Sequence, residues 1–152
     1  MMYCLCVIDE YTRESLAIKV SPTMRAQTVI ETLEQLIEQH GTPRYIRSDN
    51  GAQFTARAVM IWLGRFYIKT AFIEPGKPWQ NGYVESFHAR LPDECLNMYR
   101  FNSGKEAETI IEQWREDYNT QRPHSSLNYQ TPNSVREQLN KENMQSTTLA
   151  LA

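Results

Sequence analysis

Apolar and polar positions along the chain change their spacing several times, and each change marks an element boundary. Residues 3–8 (Tyr-Cys-Leu-Cys-Val-Ile) are an unbroken apolar run rich in strand formers and predict a buried strand. A polar turn from Asp9 to Arg13 leads into a second strand over 14–20, which makes a hairpin. Ser21-Pro22-Thr23 punctuates the chain, and Thr23 is the expected N-cap of a helix over 24–39. In that helix Val29, Leu33, Leu36 and Ile37 recur at helical spacing, with Gly41 as the stop.

Residues 43–48 predict a short strand that delivers Asp49 to its C-terminal end. A helix follows over 55–66, with Val59, Ile61, Trp62 and Leu63 as core positions, then a strand over 67–73. The loop 74–80 carries Pro75, Gly76 and Pro78, and Asn81 is the expected cap of a helix that bears Glu85. An amphipathic helix over 105–118 presents Ile110, Ile111 and Trp114. After it come a turn-rich stretch to 134, a short helix over 134–142 and a frayed tail over 143–152. Strands separated by crossover helices imply an α/β fold, a mixed sheet flanked by helices. Functional groups in such sheets gather beyond the carboxyl ends of parallel strands, where Asp49 is placed. The expected organisation is one folded core over 1–137 and a flexible tail over 138–152.

At 152 residues the length suits a single domain with a real core. Hydrophobic content of 41% and charged content of 22% are those of an ordinary soluble protein. No stretch approaches the ~20 apolar residues of a membrane span, and the opening residues lack the basic flank of a signal peptide. Three cysteines do not make a disulfide framework, so a reducing, cytoplasmic setting is expected. Cys4 and Cys6 share one strand face and read as small buried apolar side chains; no Cys/His set has zinc spacing. A net charge of −2 and a pI of about 5.9 are not the footprint of a DNA-binding domain, so contact with DNA needs local basic patches.

Two carboxylates stand out. Asp49 lies in Ser48-Asp49-Asn50-Gly51-Ala52-Gln53-Phe54 and Glu85 in Pro78 to Phe87, with 85 − 49 − 1 = 35 residues between them. Each adjoins a glycine-containing turn at the edge of a regular element. Hard oxygen ligands of this kind suit Mg2+, and a carboxylate-held metal suits phosphodiester chemistry. Simpler roles compete: Asp-Asn-Gly is a common turn, and Glu85 fits the first turn of a helix. His40 reads as a helix C-terminal residue, His88 as surface near Glu85, His124 as structural, and Trp62 and Trp114 as core.

At these two motifs the sequence resembles the catalytic core of retroviral-type integrases and the transposases of the IS3 insertion-sequence family. Asp93 to Asn97, Trp114 to Asn119, Arg122 to Leu127, Thr131-Pro132 and the upstream Val7 to Glu14 extend the resemblance over 7–135. The resemblance implies an RNase H-like fold and three carboxylates that bind two Mg2+ or Mn2+ ions for DNA cleavage and strand transfer. Asp49 would be the second of these carboxylates and Glu85 the third. The first lies, in that family, on a central opening strand upstream of the strand at 3–8. Asp9 matches the family's hairpin acid and is no substitute. The chain is thus expected to be an N-terminally truncated core, lacking that strand and inactive in this form. The sheet would close up around the gap or take a strand from another chain.

Lys77, Trp79 and Arg90 are the candidate DNA contacts, while Pro92 stands where the family carries a basic residue. Expected partners are DNA (insertion-element ends and target), a second copy or a full-length transposase, and no membrane. Two other functions fit the motifs less fully: a non-catalytic interaction or regulatory fragment of a transposase, and an RNase H-type nuclease.

Overall fold

The computed structural model describes residues 3–49, 51–72, 82–91, 104–142, 144 and 148–152. Strands β1 (Tyr3–Asp9) and β2 (Ser15–Ser21) form the expected hairpin, antiparallel with Cys6 opposite Ile18. Helix α1 (Ala26–His40) follows, then β3 (Tyr45–Ser48), the single turn α2 (Ala52–Thr55), α3 (Arg57–Arg65) and β4 (Lys69–Phe72). Helices α4 (Gly82–Leu91), α5 (Gly104–Gln121) and α6 (Pro132–Lys141) complete the helical layers. The last element is a strand, β5 (Thr148–Leu151).

The five strands lie in the order β2-β1-β5-β3-β4. β5 runs antiparallel to β1 and parallel to β3, and β3 runs parallel to β4. This corrects the frayed tail expected over 143–152. Residues 148–151 are the central strand of the sheet, and Ala152 extends the pairing through two backbone hydrogen bonds with Cys6, at 2.8 and 3.1 Å. The gap expected between the two halves of the sheet is therefore closed from within the chain. The physical reason lies in the composition of the segment: Leu149 and Leu151 bury one face while Ala150, 1% exposed, fits under the helices on the other. A polar neighbourhood hid an alternating apolar strand only four residues long.

Two cores flank the sheet. Leu5, Val7, Leu149 and Leu151 face α1 and α3, packing with Val29, Leu33, Trp62 and Leu63. Cys6, Ile8 and Ala150 face α4 and α5, packing with Phe87, Leu91, Ile111 and Tyr118. The unbroken apolar run at 3–8 is explained by this burial on both faces. Trp62 is core, as expected, and its indole N–H donates to Glu34 at 3.2 Å. Trp114 is half-buried against Phe87. One cap differs: α1 begins after Arg25 with no side-chain cap, not at Thr23. Thr131, not assigned by the pattern, does cap α6 by accepting the Ser134 N–H at 3.2 Å.

Candidate active site and basic cleft

β3 ends at Ser48, and Asp49 follows it directly, exposed at the carboxyl end of a strand with parallel neighbours on both sides. Its Oδ1 accepts the Gly51 N–H at 2.8 Å, which holds the carboxylate against the turn leading into α2. Gly51 leaves room there for the ends of the Asp49 and Gln53 side chains. A Cβ on it would stand 2.9 Å from Asp49 Oδ1 and 3.0 Å from Gln53 Nε2, inside normal contact. Phe54, 3% exposed, anchors α2 into the core and so fixes the far side of the turn. Asp49 is thus both presented and oriented.

Glu85 is the fourth residue of α4, whose backbone is described from Gly82 to Leu91. Its side chain lies outside the description, as do Lys77, Trp79, Asn81 and Pro92 entirely. The helix is seated by Phe87 and Leu91, each 1% exposed, under the α5 aromatics Trp114 and Tyr118. Carboxylates such as those of Asp49 and Glu85 are oxygen donors of the kind that hard divalent cations take. Among the described residues, β5 carries no acidic side chain beside Asp49. β5 pairs Leu149 with Ile46 and Ala150 with Arg47, and continuing that register sets Ala152 level with Asp49.

Asp9 is excluded as a ligand in the same frame. It pairs with Leu149, which pairs with Ile46, three residues before Asp49. Three residues at ~3.3 Å and two strand spacings of ~4.8 Å separate the two acids by ~14 Å. Asp9 instead works inside the fold at 1% exposure. Its Oδ1 accepts the N–H groups of Tyr11 and Thr12 at 2.9 and 3.0 Å, and its Oδ2 accepts from Arg136 at 2.8 Å. Arg136 also pairs with Glu14, so α6 is tied to the hairpin by one arginine and two acids.

Arg90, exposed on α4, lines a cleft of about 630 Å³ together with Arg13, Arg122 and His124. Arg122 lies over the Tyr118 ring at 5.1 Å, which fixes its guanidinium beside the cleft. The His124 pKa is lowered, first by burial and then by the positive fields of Arg122, Arg90 and Arg13. Three cations therefore converge on one concave surface of a chain whose net charge is −2. The sequence reading singled out Arg90 and missed Arg13 and Arg122 as its neighbours. Their meeting depends on the turn at Arg13 (φ 64°) and on the bend after α5, neither of which has a sequence period.

Comparison with known proteins gives a consistent picture. Integrase core domain profiles match residues 1–78 and 67–132. An uncharacterized 39.2 kDa protein of insertion element IS476 from Xanthomonas euvesicatoria is 45% identical over 123 residues, covering 81% of this chain and 36% of that protein. An uncharacterized 31.7 kDa protein of insertion element IS407 from Burkholderia multivorans is 40% identical, covering 85% and 47%. The transposase for insertion sequence element IS904 from Lactococcus lactis is 29% identical, covering 86% and 53%. The chain thus spans about half or less of the length of these curated relatives. Among solved structures, the catalytic core domain of BIV integrase superposes with a TM-score of 0.71 at 19% identity, covering 93% of this chain and 95% of that one. The HTLV-2 integrase catalytic core in complex with magnesium gives 0.68 at 20% identity, covering 88% and 84%. These likenesses show the fold.

Proposed function

Because the chain belongs to the integrase core domain family, we propose that it serves as catalytic-core sequence of an IS3-type transposase acting on DNA. In this reading Asp49 and Glu85 hold Mg2+ or Mn2+, and the metal, when bound, supplies a Lewis acid for phosphodiester cleavage and strand transfer. The observation that carries the reading is Asp49 itself, exposed and oriented at the carboxyl end of β3 in a fold shared with integrase cores. The magnesium complex of the HTLV-2 core supports the choice of ion. The cleft of Arg13, Arg90 and Arg122 is the matching surface for DNA phosphates, as polyanion binding needs clustered cations more than net charge. Lys77 and Trp79, in the segment before α4, are further candidate contacts.

The test pairs two readouts on the purified chain: Mn2+ binding by paramagnetic resonance, and Mn2+-dependent nicking and joining of DNA oligonucleotides. Asp49→Asn and Glu85→Gln are each expected to weaken Mn2+ binding at least about tenfold, or ~1.4 kcal/mol. Any nicking the wild type shows should fall with it. Unchanged Mn2+ binding in both variants would refute the assignment of these carboxylates.

A further inference from the structure

Beneath α4, on the face of the sheet opposite α1, three side chains with metal-binding atoms meet. Cys4 and Cys6 are two apart on β1, and His88 comes down on them from α4, one turn after Glu85. Their sulfur and imidazole nitrogen atoms all lie within 4.8 Å of one another. We propose that Cys4, Cys6 and His88 form a zinc site, a Cys2His set that pins α4 to the central sheet and leaves a fourth position for water.

Three features of the geometry carry this. Residues i and i+2 of a strand are ~6.6 Å apart along the chain, yet the two sulfurs approach to 3.7 Å. A tetrahedral ion with Zn–S bonds of ~2.3 Å needs its sulfurs ~3.8 Å apart, so the thiols already span one edge of the polyhedron. His88 Nε2 stands 3.4 Å from the Cys4 carbonyl oxygen, over the same residue whose sulfur it would join on the metal. Burial is graded suitably. Cys6 is fully buried among Phe87, Ile8 and Ile111, while Cys4 and His88 are only partly buried, so an ion can enter from their side and its inner side stays dry. Thiolate and imidazole ligands select zinc over Mg2+, which keeps this site chemically separate from Asp49 and Glu85. Binding forms two Zn–S bonds and one Zn–N bond and releases the two thiol protons to solvent; no electron moves.

The experiment is a Co2+ titration of the full 152-residue chain, reduced and stripped of metal, followed by Zn2+ displacement. Cys95→Ser serves as background because it leaves Cys4 and Cys6 as the only thiols. Expected are a thiolate-to-cobalt charge-transfer band saturating at one equivalent, its loss on adding Zn2+, and its persistence with excess Mg2+. Cys4→Ser should abolish the band, and His88→Ala should weaken binding at least tenfold. Zn2+ should also raise the melting temperature of the wild type and not of Cys4→Ser. Cys4 is less buried than Cys6, so its variant tests the site even where Cys6→Ala fails to fold. No charge-transfer band, a band unaltered in Cys4→Ser and His88→Ala, or a band that Cys95→Ser removes would overturn the proposal. These readouts are independent of Mn2+ binding at Asp49 and of any action on DNA.

Discussion

Leu151→Ala decides whether the tail is a frayed end or the centre of the sheet. Leu151 is 2% exposed, lies opposite Val7 on β1 and packs in the core beneath α1 and α3. Truncating a buried leucine removes its transfer free energy and leaves a cavity, together ~2–5 kcal/mol. A strand with neighbours on both sides has little room to collapse, so about 3 kcal/mol is a reasonable central value. For a domain of this size ~1 kcal/mol moves the melting temperature by ~2–4 °C, giving a fall of ~6–12 °C. Met144, 57% exposed just before the strand, is the control; Met144→Ala should stay within ~0.5 kcal/mol of wild type. Thermal melts of the three proteins followed by circular dichroism make the measurement. Native-state hydrogen exchange adds a second reading, because the Ala150 and Leu151 amides should be protected like those of β1. If Leu151→Ala melts with the wild type, β5 is not a core strand and the topology described above is wrong.

Other variants probe the remaining links. Gly51→Ala puts a methyl 2.9 Å from Asp49 Oδ1, so the carboxylate must turn away from the Gly51 N–H. Mn2+ affinity should fall about tenfold, the worth of one hydrogen bond to a charged group, with a much smaller change in melting temperature; an unchanged affinity would show that the turn does not orient Asp49. Arg136→Met leaves the buried Asp9 without its cation and should cost ~3 kcal/mol in chemical denaturation, part of which returns in the double variant with Asp9→Asn. For His124 the folded pKa lies below the ordinary 6.5, so the unfolded state takes the proton first. Its contribution is intact above pH 6.5 and is lost as pH falls below that value; His124→Gln should flatten the stability profile there, and a profile of wild-type slope would contradict the lowered pKa.

The elements with a long period were legible in the sequence, and those held by tertiary contacts were not. The α1 stripe of Val29, Leu33 and Leu36 and the continuous run of β1 each carry their own signal, and both appear within two residues of the expected bounds. β5 has four residues and follows a polar stretch, so only its partners β1 and β3 reveal it. The same holds at the sites. The position of Asp49 was readable because a strand end and a glycine turn sit next to it in sequence. The cation cleft needed Arg13, Arg90 and Arg122 to be brought together from a hairpin, a helix and a turn. The Cys4–Cys6–His88 cluster failed every spacing rule because 82 positions of Cys6-to-His88 sequence are closed by α4 packing on β1, not by a local motif.

β5 also determines what chemistry can occur beside Asp49. Among the described residues it is the ladder that joins the β1–β2 hairpin to the β3–β4 pair, so the strand that presents Asp49 depends on it for one of its two neighbours. Its register sets Ala152 level with Asp49, and Ala152 packs toward the cluster under α4, the helix that carries Glu85. An acidic side chain at that position would be carried one strand spacing, ~4.8 Å, from the Asp49 backbone. Two carboxylates so placed can share one ion at ~2.0–2.6 Å. Ala152→Asp should therefore tighten Mn2+ binding at least tenfold. Without metal the two like charges repel, so the variant should melt below wild type and recover as Mn2+ is added. The recovery separates a gained ligand from a damaged strand. If Ala152→Asp lowers the melting temperature and Mn2+ does not restore it, the position level with Asp49 is not part of the proposed metal site.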